Sequence, residues 1–275
     1  MPELPEVETL RRGLERHLNG RTFGAPRVRV AKMLKGTVSD SGVFERSLMG
    51  ARIESVGRRG KHLIIALHSG YYLLFHLNMR GQLLVTPSEE PEAKYLAAAF
   101  PLDNGCELRF HDMWTWGEMR LASPEELVGH PALSTMGPEP FAEEWTPEHF
   151  SRGLARRPKT AIKSILLDQG LVAGVGNIYA DESLYRAGIH PLRPAASLTD
   201  PEAERLHREI RAVLYEAISG GGTTSENYVD AEGQIGRYTP RVYERSGLPC
   251  LSCGQPLIKI RVTGRGTTYC ASCQK

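Results

Sequence analysis

Val7, Leu10, Leu14 and Leu18 recur at helical spacing after Pro5, with Gly20 just beyond, so the pattern predicts a helix over residues 5–18. Proline is tolerated in a first helical turn, and Glu3, Glu6 and Glu8 complement the positive end of such a helix. From about Arg27 to Leu121 the period shortens. HLIIALHSGYYLLFHLNM places two apolar strand-like runs around Ser69-Gly70, and the whole stretch predicts a β-sandwich or barrel. After GPEPF (137–141) and the Thr146-Pro147 cap the period lengthens again. Thr199-Asp200-Pro201-Glu202 has the spacing of a capping box. It opens a helix whose apolar face is Leu206, Ile210, Val213, Leu214 and Ile218, ended by Gly220 to Gly222. The change of period puts a domain boundary near residues 130–145.

Composition adds a class but no fold. The 275 residues, 41% hydrophobic and 24% charged, suit a globular chain of one large or two ordinary domains. No apolar run nears the ~20 residues that span a bilayer, and no signal-peptide core opens the chain, so a cytoplasmic location is expected. The formal net charge is only +2, but it is unevenly spread. Residues 1–61 hold 13 Lys/Arg against 7 Asp/Glu, and residues 234–275 hold 7 against 1. Residues 86–150 reverse this, 3 against 13. Basic ends around an acidic middle suggest one face built for a polyanion.

Four of the five cysteines form Cys250-x2-Cys253-x16-Cys270-x2-Cys273. Two CxxC knuckles a hairpin apart are the spacing of a structural zinc ribbon, in which four thiolates close the coordination sphere of one Zn2+ and leave no position for substrate. The zinc is therefore expected to hold structure and do no chemistry. Cys106 reads as a small apolar residue in a strand. Within the ribbon, Gly264-Arg265-Gly266 suits a rigid tip that presents a cation to phosphate, whereas Lys259 and Arg261 read as solvated surface.

Taken in order, PELPEVE, GRRGKHL (57–63), HLNMRG (76–81), DQGLVAGVGNIYADE (168–182) and GLPC with its ribbon resemble the formamidopyrimidine-DNA glycosylases, bacterial base-excision repair enzymes that act on damaged double-stranded DNA. The resemblance implies an α+β fold: an N-terminal β-sandwich with flanking helices (1–135), a helical domain with a helix-two-turn-helix (136–235) and a β-hairpin zinc finger (236–275). It also implies a monomer and a DNA-formamidopyrimidine glycosylase that is a DNA-(apurinic or apyrimidinic site) lyase as well, removing 8-oxoguanine and formamidopyrimidines and cleaving the strand by β,δ-elimination. Pro2, freed by removal of Met1, is the expected nucleophile, because a secondary amine that displaces the base at C1′ leaves an iminium. Glu3 is the expected general acid and Glu6 supports the site. Lys61, Arg265, Asn177 and His76 match phosphate-contacting positions, with Lys163 and Tyr179 lesser candidates; Gly174-Val175-Gly176 lets backbone amides approach phosphate. Met79 matches the side chain that fills the place of a flipped nucleotide. Residues 223–238 resemble a lesion-capping loop, mobile without substrate.

One stretch departs from the family. Where Asp-Pro-Arg-Arg-Phe-Gly is usual, the chain has Asp112-Met113-Trp114-Thr115-Trp116-Gly117. Trp116 can serve as the aromatic wedge, but Trp114 cannot donate the arginine's hydrogen bonds to the base opposite the lesion. Weaker opposite-base selectivity is therefore expected, with Arg120 as a compensating candidate. Two other functions compete. An endonuclease-VIII-like glycosylase for oxidised pyrimidines shares the proline, glutamate and finger, although Leu4 and Met79 favour the purine branch. A catalytically silent zinc-ribbon DNA-binding protein is opposed by intact Pro2, Glu3 and Lys61.

Overall fold

A computed structural model of the protein describes residues 1–224 and 228–275. The chain forms two compact units, one of residues 1–134 with 220–237 and one of 135–219 with 238–275.

In the first unit, helix α1 (Leu4–Leu18) opens the chain. Strand β1 (Arg27–Val28) and helix α2 (Ser41–Leu48) follow, the latter capped by the Asp40 carboxylate, which accepts the Val43 N–H at 2.8 Å. Then come β2 (Ile53–Arg59), β3 (His62–Leu67), β4 (Tyr72–His76), β5 (Gly81–Pro87), β6 (Leu96–Pro101), β7 (Cys106–Asp112) and β8 (Glu118–Ala122). Short helices α3 (Pro124–Val128) and α4 (Pro131–Ser134) close this run. The strands form two antiparallel sheets, ordered β1-β6-β7-β5 and β2-β3-β4-β8.

Alternation along β3 puts Leu63, Ile65 and Leu67 inward, and the same core takes Leu83, Phe100, Leu108 and Phe110 from the other sheet. Phe75 of β4 meets Phe100 and Phe110 edge-on at 5.7 and 5.5 Å, which ties the sheets together. A ring buried this completely contributes roughly 1.5–3 kcal/mol. Helix α1 inserts its predicted stripe, Val7, Leu10, Leu14 and Leu18, into this core. Cys106 is half-buried and packs against it.

Residues 220–237, read from the sequence as the end of the helical domain and the start of the finger, cluster instead with the first unit. Backbone hydrogen bonds explain this: Val85 donates to the Ala231 carbonyl at 2.9 Å, and the Thr223 amide donates to Glu6 at 2.9 Å. Of the loop expected over 223–238, residues 225–227 lie outside the described residues.

The second unit is helical with a hairpin. It contains α5 (Pro147–Ala155), α6 (Ile162–Leu166), α7 (Asn177–Ala187) and α8 (Asp200–Ser219), then β9 (Ile258–Val262) and β10 (Arg265–Tyr269). Thr146 caps α5 by accepting the His149 N–H, and Glu202 accepts the Thr199 N–H at the start of α8, as the sequence leads one to expect. The buried face of α8 uses Ala217 beside Leu214, while Ile218 is only half-buried. Gly188 ends α7 in the left-handed region, at φ 68°.

Candidate active site and nucleic-acid contacts

At the start of the first unit, Pro2, Glu3 and Glu6 are buried, although two are acids. The reason is local. Glu3 is the N-cap of α1 in a capping box, and the Glu6 carboxylate accepts the Glu3 N–H at 2.9 Å with one oxygen and the Thr223 N–H with the other. Tyr228 donates its hydroxyl to the Glu6 carbonyl at 3.0 Å. Glu6 is thus a clamp that fixes Glu3 and the returning chain around the helix start. The Met1 α-amine, one residue ahead of Pro2, is drawn below its ordinary value by burial, with Lys61 and Arg80 adding and Glu3 and Glu6 opposing.

Lys61 reaches this end of α1 because Glu8 holds the β2–β3 hairpin there. Gly60 takes the left-handed conformation, φ 54°, that the tight turn between Arg59 and His62 requires. Arg58 donates to the Gly60 carbonyl at 2.9 Å and to the Glu8 carboxylate at 3.1 Å. Burial pushes the Glu8 carboxyl up, but hydrogen bonds from Arg11, Arg58 and Arg12 outweigh it and hold the carboxyl low. Lys61 itself is buried, with an exposure of 8%. Sequence reasoning gave Glu8 only a place in the helix-end charge pattern; its partner is 50 residues away.

His76 ends β4 with its ring stacked on His62, centroids 4.4 Å apart, and His130 meets His62 edge-on at 5.6 Å. Burial, and then Lys61, lower the His76 pKa to about 4 against the raising effect of a hydrogen bond to the Asn78 side chain. At neutral pH the ring is uncharged, so it can meet a phosphate as an N–H donor and not as a cation.

The turn after β4 and the loop after β7 bring Met79, Trp114 and Trp116 to the surface, 39%, 36% and 58% exposed. The Asp112 carboxylate builds that loop. It accepts N–H donors from Trp114 (2.9 Å), Thr115 (3.0 Å) and Gly117 (2.6 Å). The two indoles lie 5.0 Å apart, and the Arg80 guanidinium sits 5.0 Å from the Trp114 ring centre. Arg120, the compensating candidate, lies in β8, where it pairs with Leu74 of β4 and its side chain packs against Gly36.

In the second unit, Arg265 is exposed at the start of β10, following a two-residue turn, Thr263-Gly264, with both residues at positive φ. The turn thus lies one residue earlier than Gly264-Arg265-Gly266 suggested. Asn177, first residue of α7, donates through Nδ2 to the Gly266 carbonyl at 2.9 Å, so the helix start and the hairpin are joined. Lys163 and Tyr179, the lesser candidates for DNA contact, are both fully buried. The Lys163 ammonium donates to the Gly266 carbonyl (3.2 Å) and Thr267 Oγ1 (2.6 Å) and pairs with Asp181 at 2.5 Å; Asp181 in turn accepts the Thr268 N–H at 3.0 Å. Lys163 therefore secures the strand that bears Arg265. Tyr179 packs 5.8 Å from the Tyr238 ring. Glu182, also buried, accepts the amides of Arg241, Val242 and Tyr243 and the Tyr238 hydroxyl. No periodicity marks such carboxylates, since a residue one turn away from the apolar stripe reads as solvated.

Cys250, Cys253, Cys270 and Cys273 place their sulfurs within 4.8 Å of one another. The Cys250–Cys273 and Cys253–Cys270 separations, 3.9 and 3.5 Å, are far from a disulfide's ~2.05 Å. They match the ~3.8 Å edge of a tetrahedron with ~2.3 Å metal–sulfur bonds. The Ser252 amide donates to Cys250 Sγ at 3.4 Å, and the Tyr185 hydroxyl lies 3.3 Å from it, partners that suit a ligand thiolate. The four cysteines can hold one metal ion.

Comparison with known proteins gives these two units a common relative. The formamidopyrimidine-DNA glycosylase N-terminal domain matches residues 1–119, the corresponding H2TH domain residues 136–228, and the zinc finger found in FPG and IleRS residues 247–275. Formamidopyrimidine-DNA glycosylase from Desulforamulus reducens is 43% identical over 278 residues, covering 100% of this chain and 99% of its own; that from Bacillus subtilis is 42% identical with the same coverage. Among solved structures, Lactococcus lactis Fpg in complex with abasic-site DNA superposes with a TM-score of 0.91 at 32% identity, covering 99% of each chain. The MutM (Fpg) protein of Thermus thermophilus gives 0.87 at 40%, covering 99% of this chain and 98% of its own. With the glycosylase, H2TH and finger parts all matched in order and its relatives matched end to end, the chain belongs to the formamidopyrimidine-DNA glycosylase family, DNA glycosylases of base-excision repair.

Proposed function

We propose that the protein is a bifunctional DNA glycosylase and abasic-site lyase for oxidised purines, with Pro2 as nucleophile. The observation that carries this reading is the helix start: a proline amine position, a buried carboxyl at Glu3 and a buried Lys61 gathered where burial lowers an N-terminal amine. Once Met1 is removed, the Pro2 nitrogen attacks C1′ of the flipped nucleotide and the C1′–N bond to the base breaks, the base leaving with the electron pair and taking up the proton that the Pro2 nitrogen gives up. Glu3 gives its proton to the ring oxygen as the C1′–O4′ bond opens, leaving an iminium on Pro2. The iminium acidifies C2′, so loss of a proton there expels the 3′ phosphate, and a second elimination expels the 5′ phosphate. Water then frees the proline.

Lys61, His76, Asn177 and Arg265 hold the phosphates in this reading, with Glu6 fixing Glu3. Met79 and Trp116 fill the place of the flipped nucleotide. Zn2+ in the four-cysteine site stiffens the finger that bears Arg265. In this reading residues 1–135 with the returning segment 220–237 carry the chemistry, 136–219 the helix-two-turn-helix and 238–275 the finger. The DNA complexes of the Lactococcus relatives support damaged duplex DNA as the partner. No helix of the described residues is long and apolar enough to cross a membrane. A monomer acting on DNA in the bacterial cytoplasm fits this reading.

The test is the chemistry of the cut ends. On a duplex with a single 8-oxoguanine, the expected products are a one-nucleotide gap with phosphate at both ends. An intact strand with only the base removed would contradict the lyase assignment. Cleavage at oxidised pyrimidines but not at 8-oxoguanine would contradict the substrate.

A further inference from the structure

We infer that Arg80 is the residue that reads the base opposite the lesion, working from the face of Trp114. The inference rests on the reading above, that the exposed tip of the first unit enters damaged DNA.

When a nucleotide is flipped out, its former partner loses its own hydrogen-bonding edge. A protein gains selectivity there only by offering donors or acceptors that match that edge. The side chains around the exposed Met79, Trp114 and Trp116 can be taken one at a time. Asn78 Nδ2 is committed to the Trp116 carbonyl at 2.5 Å. Thr115 Oγ1 donates to the Trp114 carbonyl at 2.6 Å. Both oxygens of Asp112 are occupied by backbone amides. Met79 and Met113 have no strong donor, and the Trp114 and Trp116 indoles have one N–H each, which cannot serve two adjacent acceptors. Arg80 remains: among the described residues its guanidinium has no hydrogen bond or ion pair, and it sits over the Trp114 ring, 5.0 Å from the ring centre.

That contact selects a function. A guanidinium held over an indole by a cation–π contact keeps its N–H donors available to a ligand and loses part of its conformational freedom before any ligand arrives. Trp114 is in turn fixed by the Asp112 turn and by Trp116, 5.0 Å away. The result is a rigid fork of donors beside the wedge residue Met79, its neighbour in sequence.

The chemistry of the fork names the base. Cytosine offers two adjacent acceptors, N3 and O2, on its vacated edge. Adenine pairs one acceptor with an amino donor, guanine sets N–H donors beside its O6, and thymine separates its acceptors by N3–H. Since arginine has donors only, cytosine is favoured. The weaker selectivity expected from the loss of an arginine at position 114 is thus offset by an arginine at position 80, and the substitution relocates the reader.

Equilibrium binding to duplexes with a non-cleavable abasic analogue opposite C, A, G or T isolates this step from catalysis. The wild-type protein should bind the analogue:C duplex at least about tenfold more tightly than analogue:A, the scale of one bidentate contact. In Arg80→Ala that ratio should collapse towards one. Arg80→Lys, which keeps the charge but loses the fork, should lose most of it, as should Trp114→Ala. A wild-type protein without opposite-base preference would overturn the inference. So would an Arg80→Ala protein that weakens on all four duplexes equally with a shallower salt dependence, since that marks a phosphate contact. A shift of the pH profile for trapping with the ratio intact would also overturn it, because Arg80 would then act through the nearby amine. Failure of the wild-type protein to bind any abasic duplex is a different result, and contradicts the proposed function itself.

Discussion

Glu3→Gln is expected to slow base excision about 10²- to 10⁴-fold in single-turnover assays, the usual worth of a positioned proton donor. Glutamine keeps the size of the side chain and an oxygen able to serve the capping box, so the helix start should survive. What it lacks is a proton to give to O4′. Affinity for abasic-analogue DNA should therefore be retained, which separates chemistry from folding. A fall of less than about tenfold would mean that Glu3 is a cap and no acid. Glu6 answers differently in this account. Its two oxygens hold the Glu3 and Thr223 amides, so Glu6→Gln disturbs the position of the acid and not its proton.

The second large effect concerns stability. Asp181→Ala is expected to destabilise the second unit by about 3–5 kcal/mol, because it leaves the Lys163 ammonium buried without its counter-charge. Burial pushes the Asp181 carboxyl up to about 7 against the pull of Lys163, so desolvation consumes much of what the pair gains by attraction. Removing one partner is therefore far worse than removing both. The double change Lys163→Met with Asp181→Leu should recover a large part of the loss in a thermal-unfolding measurement. If Asp181→Ala unfolds at the wild-type temperature, Asp181 is not the counter-charge on which the buried ammonium depends. DNA affinity should follow the same order, because Lys163 also donates to the Gly266 carbonyl and Thr267 beside Arg265.

These two cases show where the sequence is legible. The α1 stripe, the Ser69-Gly70 hairpin and the Thr146 and Thr199 caps can be read because each depends on residues within a few positions of one another. The metal site is legible for the same reason, since each CxxC knuckle is local. Lys163 is not: the resemblance offers it as a lesser DNA-contact candidate, and its burial depends on partners at 181, 266 and 267, far along the chain. Glu8 is hidden likewise, its function being fixed by Arg58 in another element. The return of residues 220–237 to the first unit depends on Glu6 and Val85, far upstream. Arg80 carries no signal in the sequence because its place at Trp114 depends on two loops that meet only in the fold.

The central claim is a covalent one, and one measurement addresses it. Protein whose Met1 has been removed, as verified by intact mass, is incubated with 8-oxoguanine duplex in the presence of borohydride, and the reduced adduct is digested and mapped by mass spectrometry. The account predicts a stable protein–DNA adduct carried by Pro2, absent from protein that retains Met1. An adduct mapped to Lys61 or another lysine, or strand cleavage with no trapped species, would contradict it.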